Sequence, residues 1–477
     1  MHMMSADCDD EPAEEPTGLA EQHVPVPRVR IFATIGCALM MMALDGTIVA
    51  TALESLTAGL DTSVNWASWT ITIYSFGFVV MLPVSGRLAV RFGNRNVFLG
   101  SVAVFSAASL CCALSDNIAT LIALRALQAA GGAGFTPAAT GIIVQHFGAA
   151  RDRYVGLFGS IFPVGAMIGP IFGGLFVTYW SWRGIFLVNV PIGLTVAALV
   201  YLYVPRDQPR TPLRRARFDM TGLVIFGVGL LLAMFAVTHL AEPEIHAGSV
   251  SFLAPLVLGV GALGYFLRHI RNKPNPFIDP RLIHGTGFGT VNLINILYGG
   301  ASIGLLVLVP LYAINRYGMN AFDAGTLLAA QGIAAITFSS LAAFALRSTG
   351  YRPPMYFGAA FIVMGFVLLS TAPWWGVPPY VWLAGATFLF GVGGGTMNPS
   401  SRNAGLQLAP DRAPSIAALR SMCMQVGRIA TISIATAIIA SSSDPAEAQS
   451  WIYFVAAVVL LCAIPVIARV PEHRGAW

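Results

Sequence analysis

Gly86-Arg-Leu-Ala-Val-Arg-Phe-Gly-Asn-Arg-Asn96 joins two long apolar runs, at about 67–88 and 97–115. A weaker echo, Ala345-Leu-Arg-Ser-Thr-Gly-Tyr-Arg-Pro353, joins two more, at about 323–346 and 354–372. Glycine permits a tight turn between helices, and arginine can hold phosphates or the carbonyls at a helix C-terminus. A repeated basic turn between apolar helices suggests a duplicated unit, as transporters often show.

Working outward, a helix that crosses a bilayer needs about 20 mostly apolar residues. Fourteen such runs occur, at about 31–54, 67–88, 97–115, 118–147, 154–178, 184–204, 218–240, 250–270, 286–315, 323–346, 354–372, 379–398, 414–441 and 449–468. The two basic turns follow spans 2 and 10. An offset of eight predicts an all-α membrane protein of 14 transmembrane helices. Two six-helix bundles related by a pseudo-twofold axis would flank two inserted helices. The expected organisation is therefore an acidic disordered tail (1–30), an N-terminal bundle (31–204), an inserted pair with basic loops (205–285) and a C-terminal bundle (286–477).

Composition agrees. Of 477 residues, 56% are hydrophobic and 10% charged, whereas a soluble domain carries about 25% charged residues. The termini and the loops on their side of the membrane hold 22 of the 27 basic residues, Arg206, Arg402 and Arg412 among them. The opposite loops hold Arg183 and Arg316. Basic residues flank the cytoplasmic side of membrane helices, so both termini are expected in the cytoplasm and the chain in the inner membrane. The +5 net charge reflects this distribution; with no contiguous basic patch, a nucleic-acid partner has no support. The six cysteines lack metal-ligand spacing, so no metal or cofactor is expected. No His, Asp and Glu cluster at a membrane face, which argues against an enzyme. A non-transporting sensor would usually bring a longer soluble segment. No phosphate-binding loop or ATPase domain is present, which leaves an ion gradient or a partner as the energy source.

Further stretches sharpen the reading. Span 1 contains Leu44-Asp-Gly-Thr-Ile-Val-Ala-Thr-Ala-Leu53, and span 4 contains Leu124-Arg-Ala-Leu-Gln-Ala-Ala-Gly131. Span 5 contains Gly165-Ala-Met-Ile-Gly-Pro-Ile-Phe-Gly-Gly174, followed by Trp182-Arg-Gly-Ile-Phe-Leu-Val-Asn-Val-Pro-Ile-Gly193. Together with the Gly86–Asn96 turn, which resembles motif A, these resemble the major facilitator superfamily, in particular its 14-span drug:proton antiporter-2 group. The resemblance spans nearly all of residues 31–468 and implies alternating access, with an amphipathic small molecule and protons as partners. A native metabolite, siderophore or lipid as the exported molecule fits the same stretches. The resemblance assigns Gly86, Arg91, Gly93 and Arg95 to a cytoplasmic gate. It assigns Gly165, Gly169, Pro170, Gly173 and Gly174 (motif C) to a tight contact between the bundles. Departures are Val90 at motif A's acidic position, which predicts a weaker or differently wired gate, and Ala50 and Glu54 in span 1. In span 13, Arg428 stands where a small residue is usual.

A charge inside a span is costly and marks function by default. Of the fifteen acidic residues beyond the tail, Asp45 alone lies well inside one. At about 1.5 Å per residue, Asp45, Arg125 and Arg428 fall in one layer. Asp45 is the expected proton carrier, with Arg125 tuning it. Arg428 could select substrate, disfavouring organic cations, or pair with Asp45. Gln128, Asn292 and Asn295 could bind substrate or join helices. Arg420, near a helix end, is expected to snorkel to the interface.

Overall fold

The computed structural model describes residues 27–472, except 63, 208–218, 240–247, 275, 277, 320 and 375. The expected acidic tail thus lies outside the described residues apart from its last four. Among the described residues there are helices and no strands. Each of the fourteen apolar runs is helical. In chain order the helices are α1 (Arg28–Thr51), α2 (Val64–Phe92), α3 (Asn94–Ala113), α4 (Ile118–Gly132 and Phe135–His146), α5 (Arg151–Tyr179), α6 (Gly184–Leu187 and Asn189–Tyr203), α7 (Met220–His239) and α8 (Val250–Asn272). Then come α9 (Phe288–Ile294, a π-turn Asn295–Ala301, and Ser302–Leu306), α10 (Ala321–Thr349), α11 (Arg352–Ser370), α12 (Pro379–Leu408), α13 (Ala413–Ser441) and α14 (Pro445–Ala463). Eleven of these stretches are long and apolar enough to cross a membrane, with Met220–Ala236 a shorter apolar helix.

Two turns show why the chain reverses where it does. Gly93 has φ 90° and Gly350 has φ 75°, a left-handed conformation that costs glycine little. Each ends one helix (α2, α10) and starts the next (α3, α11). Each is followed two residues on by an arginine, Arg95 and Arg352.

The helix starts that follow are closed in the same way. Asp207, just past α6, accepts the backbone N–H groups of Asn94, Arg95 and Asn96 at 2.9–3.3 Å. Glu472, just past α14, accepts those of Tyr351 and Arg352 at 2.8 and 3.2 Å. The first turn of a helix leaves unpaired donors and a partial positive charge, so a carboxylate there satisfies both. Arg95 Nη2 donates to Tyr201 O at 3.2 Å, and Arg352 Nε to Val470 O at 2.7 Å. The acids sit in matching strings, Val204-Pro205-Arg206-Asp207 and Val470-Pro471-Glu472. The duplication is visible in these side chains.

α7 and α8 pack mainly on each other, with Phe226 and Phe266 5.2 Å apart, and α7 also leans on α2 and α13. Across the two bundles, α2 and α4 meet α13, and α5 meets α10 and α12. The tightest of these contacts lie toward the face that carries the described termini. A Cβ on Gly86 would come within 2.8 Å of Ala418 Cβ and 3.0 Å of Pro414 O, at the start of α13. A Cβ on Gly156 would come within 2.7 Å of Ala343 Cβ. Asn403 Nδ2 donates to Asp152 O at 2.9 Å.

A buried carboxylate network at the candidate site

Asp45 sits on α1 with no solvent exposure. Its neighbours come from three further helices of the same bundle. Arg125 Nη1 on α4 donates to Asp45 Oδ2 at 2.9 Å. Gln128 Nε2, one turn further along α4, donates to Asp45 Oδ1 at 3.0 Å. Asn189 Nδ2 on α6 donates to the same oxygen at 2.9 Å. Ser109 Oγ on α3 accepts from both amides at 3.0 Å and donates to Phe186 O at 3.0 Å. Residues three or four apart share a helix face, which is why Arg125 and Gln128 reach one carboxylate.

Arg125 is held on every side. Its Nη1 also donates to Gln128 Oε1 at 2.6 Å, and its Nε to Thr70 O at 3.4 Å. Its guanidinium lies 4.2 Å from the centre of the Tyr74 ring and 5.6 Å from that of Phe186. A buried ion pair is tolerable when its remaining donors and acceptors are met, and here they are. Asp45 thus receives three donors, one on Oδ2 and two on Oδ1.

Tyr74 links this network to the other bundle. Its hydroxyl is buried with no hydrogen bond of ordinary geometry, within electrostatic reach of Asp45, Arg125 and Arg428. Arg428 itself, on α13, makes no ion pair among the described residues. In this conformation Arg125 holds the Asp45 carboxylate and Arg428 does not.

The structure therefore brings together Asp45, Arg125 and Gln128 from the residues that the sequence singles out. Asn189, Ser109 and Tyr74 were missed, although Asn189 lies inside the Trp182–Gly193 stretch and all three are polar residues within apolar runs. Asn292 is elsewhere: its Nδ2 donates to Leu282 O and Ile283 O at 2.8 and 3.1 Å, tying α9 to the short helix Pro280–His284. Asn295, in the π-turn, accepts from Ser401 Oγ at 3.2 Å.

Gly165 and Gly169 pack inside the N-terminal bundle. A Cβ on Gly165 would meet Ala43 Cβ at 2.5 Å, and one on Gly169 would strike Thr47 Oγ1, so the two contacts flank Asp45 along α1. Their absent side chains let α5 press on α1. Gly173 is buried and Gly174 has open space around it; Pro170 falls in the same helix. The close approach of α5 to the C-terminal bundle is made by Gly156 instead.

At the turn after α2, Arg91 is exposed and lies over Phe92, while Gly93 leaves room for Asp207: a Cβ there would strike its carboxylate. The acid at this turn is Asp207, on the backbone N–H groups of Asn94, Arg95 and Asn96.

Two arginines depart from their expected places. Arg402, assigned to a loop, is buried because α12 continues to Leu408; it donates to Val155 O at 3.2 Å and lies 5.3 Å from the Phe158 ring. Arg420 does not snorkel. It is 6% exposed and donates through Nη2 to Asn398 Oδ1, because α12 offers that acceptor beside it.

Comparison with known proteins follows the same lines. The chain is 30% identical over 475 residues to the methylenomycin A resistance protein of Streptomyces coelicolor, covering 97% of both chains. It is 29% identical over 449 residues to a protein named for multidrug resistance, MdtD of Escherichia coli, covering 91% of this chain and 92% of that one. The fold matches the proton:xylose symporter XylE with a TM-score of 0.66 at 13% identity, over 94% and 96% of the two chains. It matches the human organic anion transporter MFSD10 at 0.65 and 15% identity, over 92% and 99%. The sequence signature of the Major Facilitator Superfamily extends over residues 35–432. A multi-pass membrane transporter, not an enzyme, this chain belongs to the Major Facilitator Superfamily.

Proposed function

We propose that the chain exports an amphipathic small molecule from the cytoplasm in exchange for protons, with Asp45 as the proton carrier. The observation that carries this reading is the Asp45 carboxylate itself: buried, held by Arg125, and one tyrosine away from the facing bundle. Protonation of Asp45 would release donors on α4 and α6, so proton binding and helix movement are linked. The resistance proteins it resembles support a small, foreign molecule as cargo.

The arginine distribution puts the described termini in the cytoplasm, with the protein in the inner membrane. The tight contacts at Gly86, Gly156 and Asn403 then close the cytoplasmic side. In this state Gly86 acts as the gate's seat. Gly86→Val would push its added carbons into Ala418 and the Pro414 carbonyl. Transport is expected to fall more than tenfold, with Cys37 on α1 and Cys423 on α13, both in the half of their helix on that side, becoming more reactive to a membrane-impermeant maleimide; unchanged labelling would count against a gate.

Asp207 is expected to stabilise that closed side without touching cargo. Asp207→Ala removes the acceptor for three N–H groups, and loss of a helix cap costs about 1 kcal/mol. The melting temperature should fall by a few degrees and the same cysteines should label faster, while cargo affinity stays within about twofold. The reading as a whole is tested in liposomes holding the full chain, by imposing a pH gradient and following fluorescent dyes and antibiotics. Accumulation that ignores the gradient and its collapse by an uncoupler would overturn it.

A further inference from the structure

The C-terminal bundle holds buried positive charge that the proton site does not use. Arg402 on α12 and Arg420 on α13 are 6% exposed each. Asn398, one turn before Arg402 on α12, accepts from Arg420 Nη2, so the two guanidinium groups are neighbours and act on each other electrostatically. No carboxylate pairs with either among the described residues. A donor also remains unmet: Arg420 Nε is buried with no acceptor. A buried charge without a counter-ion costs several kcal/mol, and two together repel. Such a pair persists when another state of the protein gives it an anion.

The cover over this cluster comes from the opposite bundle. Val155 O takes a donor from Arg402, the Phe158 ring lies beneath its guanidinium, and Asp152 O takes Asn403. All three belong to the first turns of α5, which must leave α12 whenever the bundles part on that side. From the structure we infer that Arg402 and Arg420 form a loading site for the carboxylate of an anionic amphipathic substrate, and this rests on the exporter reading above. With the bundles parted, the carboxylate takes both guanidinium groups. Planar arginine groups suit a carboxylate, which they bind through paired hydrogen bonds. As the bundles close, Val155 O replaces the carboxylate on Arg402. Cargo and closure compete for one side chain, so closing drives the anion inward. The next cation is Arg428, eight residues along α13 and roughly 12 Å deeper, within electrostatic reach of Tyr74.

The test uses two probes of one shape, 1-naphthylacetate and its uncharged amide, with acetate as the anion lacking an apolar body. Binding to the purified full chain is read by calorimetry, so the result does not depend on proton coupling. The acid is expected to bind at least tenfold more tightly than both the amide and acetate. Arg402→Gln and Arg420→Gln should each bring acid and amide within about twofold, leaving amide affinity unchanged; Arg420→Lys should keep part of the preference. Equal affinity for acid and amide in the native chain overturns the inference without any variant, as does a preference that survives both glutamine substitutions. Acetate binding as well as the naphthyl acid would make this a small-anion site and sink the substrate assignment. Failure of the gradient experiment with the acid preference intact would overturn the proton-coupled reading alone.

Discussion

Asp45→Asn should abolish gradient-driven accumulation, lowering it at least a hundredfold, while the purified protein still binds cargo. Asparagine keeps the size of the side chain and one acceptor, so Asn189 or Gln128 can stay bonded after an amide flip. It cannot exchange a proton. Passive exchange of labelled for unlabelled cargo across liposomes should therefore persist at a tenth or more of the native rate, with its dependence on pH gone. Accumulation by Asp45→Asn that still followed the imposed gradient would remove Asp45 from the mechanism and leave it as a structural ion-pair partner.

The second large effect concerns the partner. Arg125→Ala leaves a buried carboxylate with two amides and no counter-ion, and removing one member of a buried pair costs about 3–5 kcal/mol. The cation–π contacts to Tyr74 and Phe186 go as well. Its fall in melting temperature should exceed those of Asp207→Ala and Asp45→Asn. Combining Asp45→Asn with Arg125→Gln removes both charges and keeps hydrogen-bonding groups in place. The double variant should be more stable than Arg125→Ala by several degrees, though equally inactive in accumulation. Additive losses in the double variant would show that the two residues do not act as a pair.

How far the sequence reaches is clear from particular residues. The helices were legible because each span must satisfy its own backbone in lipid, so apolar runs and helices coincide; the pairing of repeats was legible from two glycine–arginine turns. The polar layer was legible in Asp45 and Arg125 because charges in apolar runs are rare. Asn189 and Ser109 were not singled out, since uncharged polar residues are common helix-packing groups and nothing local marks those that converge. Arg402 and Arg420 were misplaced for a different reason. For Arg402 the apolar run ends near residue 398, whereas α12 continues to Leu408 and buries it against the facing bundle; for Arg420, already inside a span, the Asn398 acceptor on a neighbouring helix was not legible. Asp207 lay outside any motif, and its role depends on a turn more than a hundred residues earlier.

The matched caps also bear on how the molecule came to have its present length. Asp207 and Glu472 each follow the last helix of a six-helix unit and close a helix start within that same unit. Such a unit is self-sufficient: copying the gene segment copies its fastening whole, and nothing from the other copy is needed to complete it. An extra pair of helices can then be spliced at the seam between copies without loosening either one, which is where α7 and α8 stand. A chain cut at that seam and expressed as two pieces would carry one fastening on each.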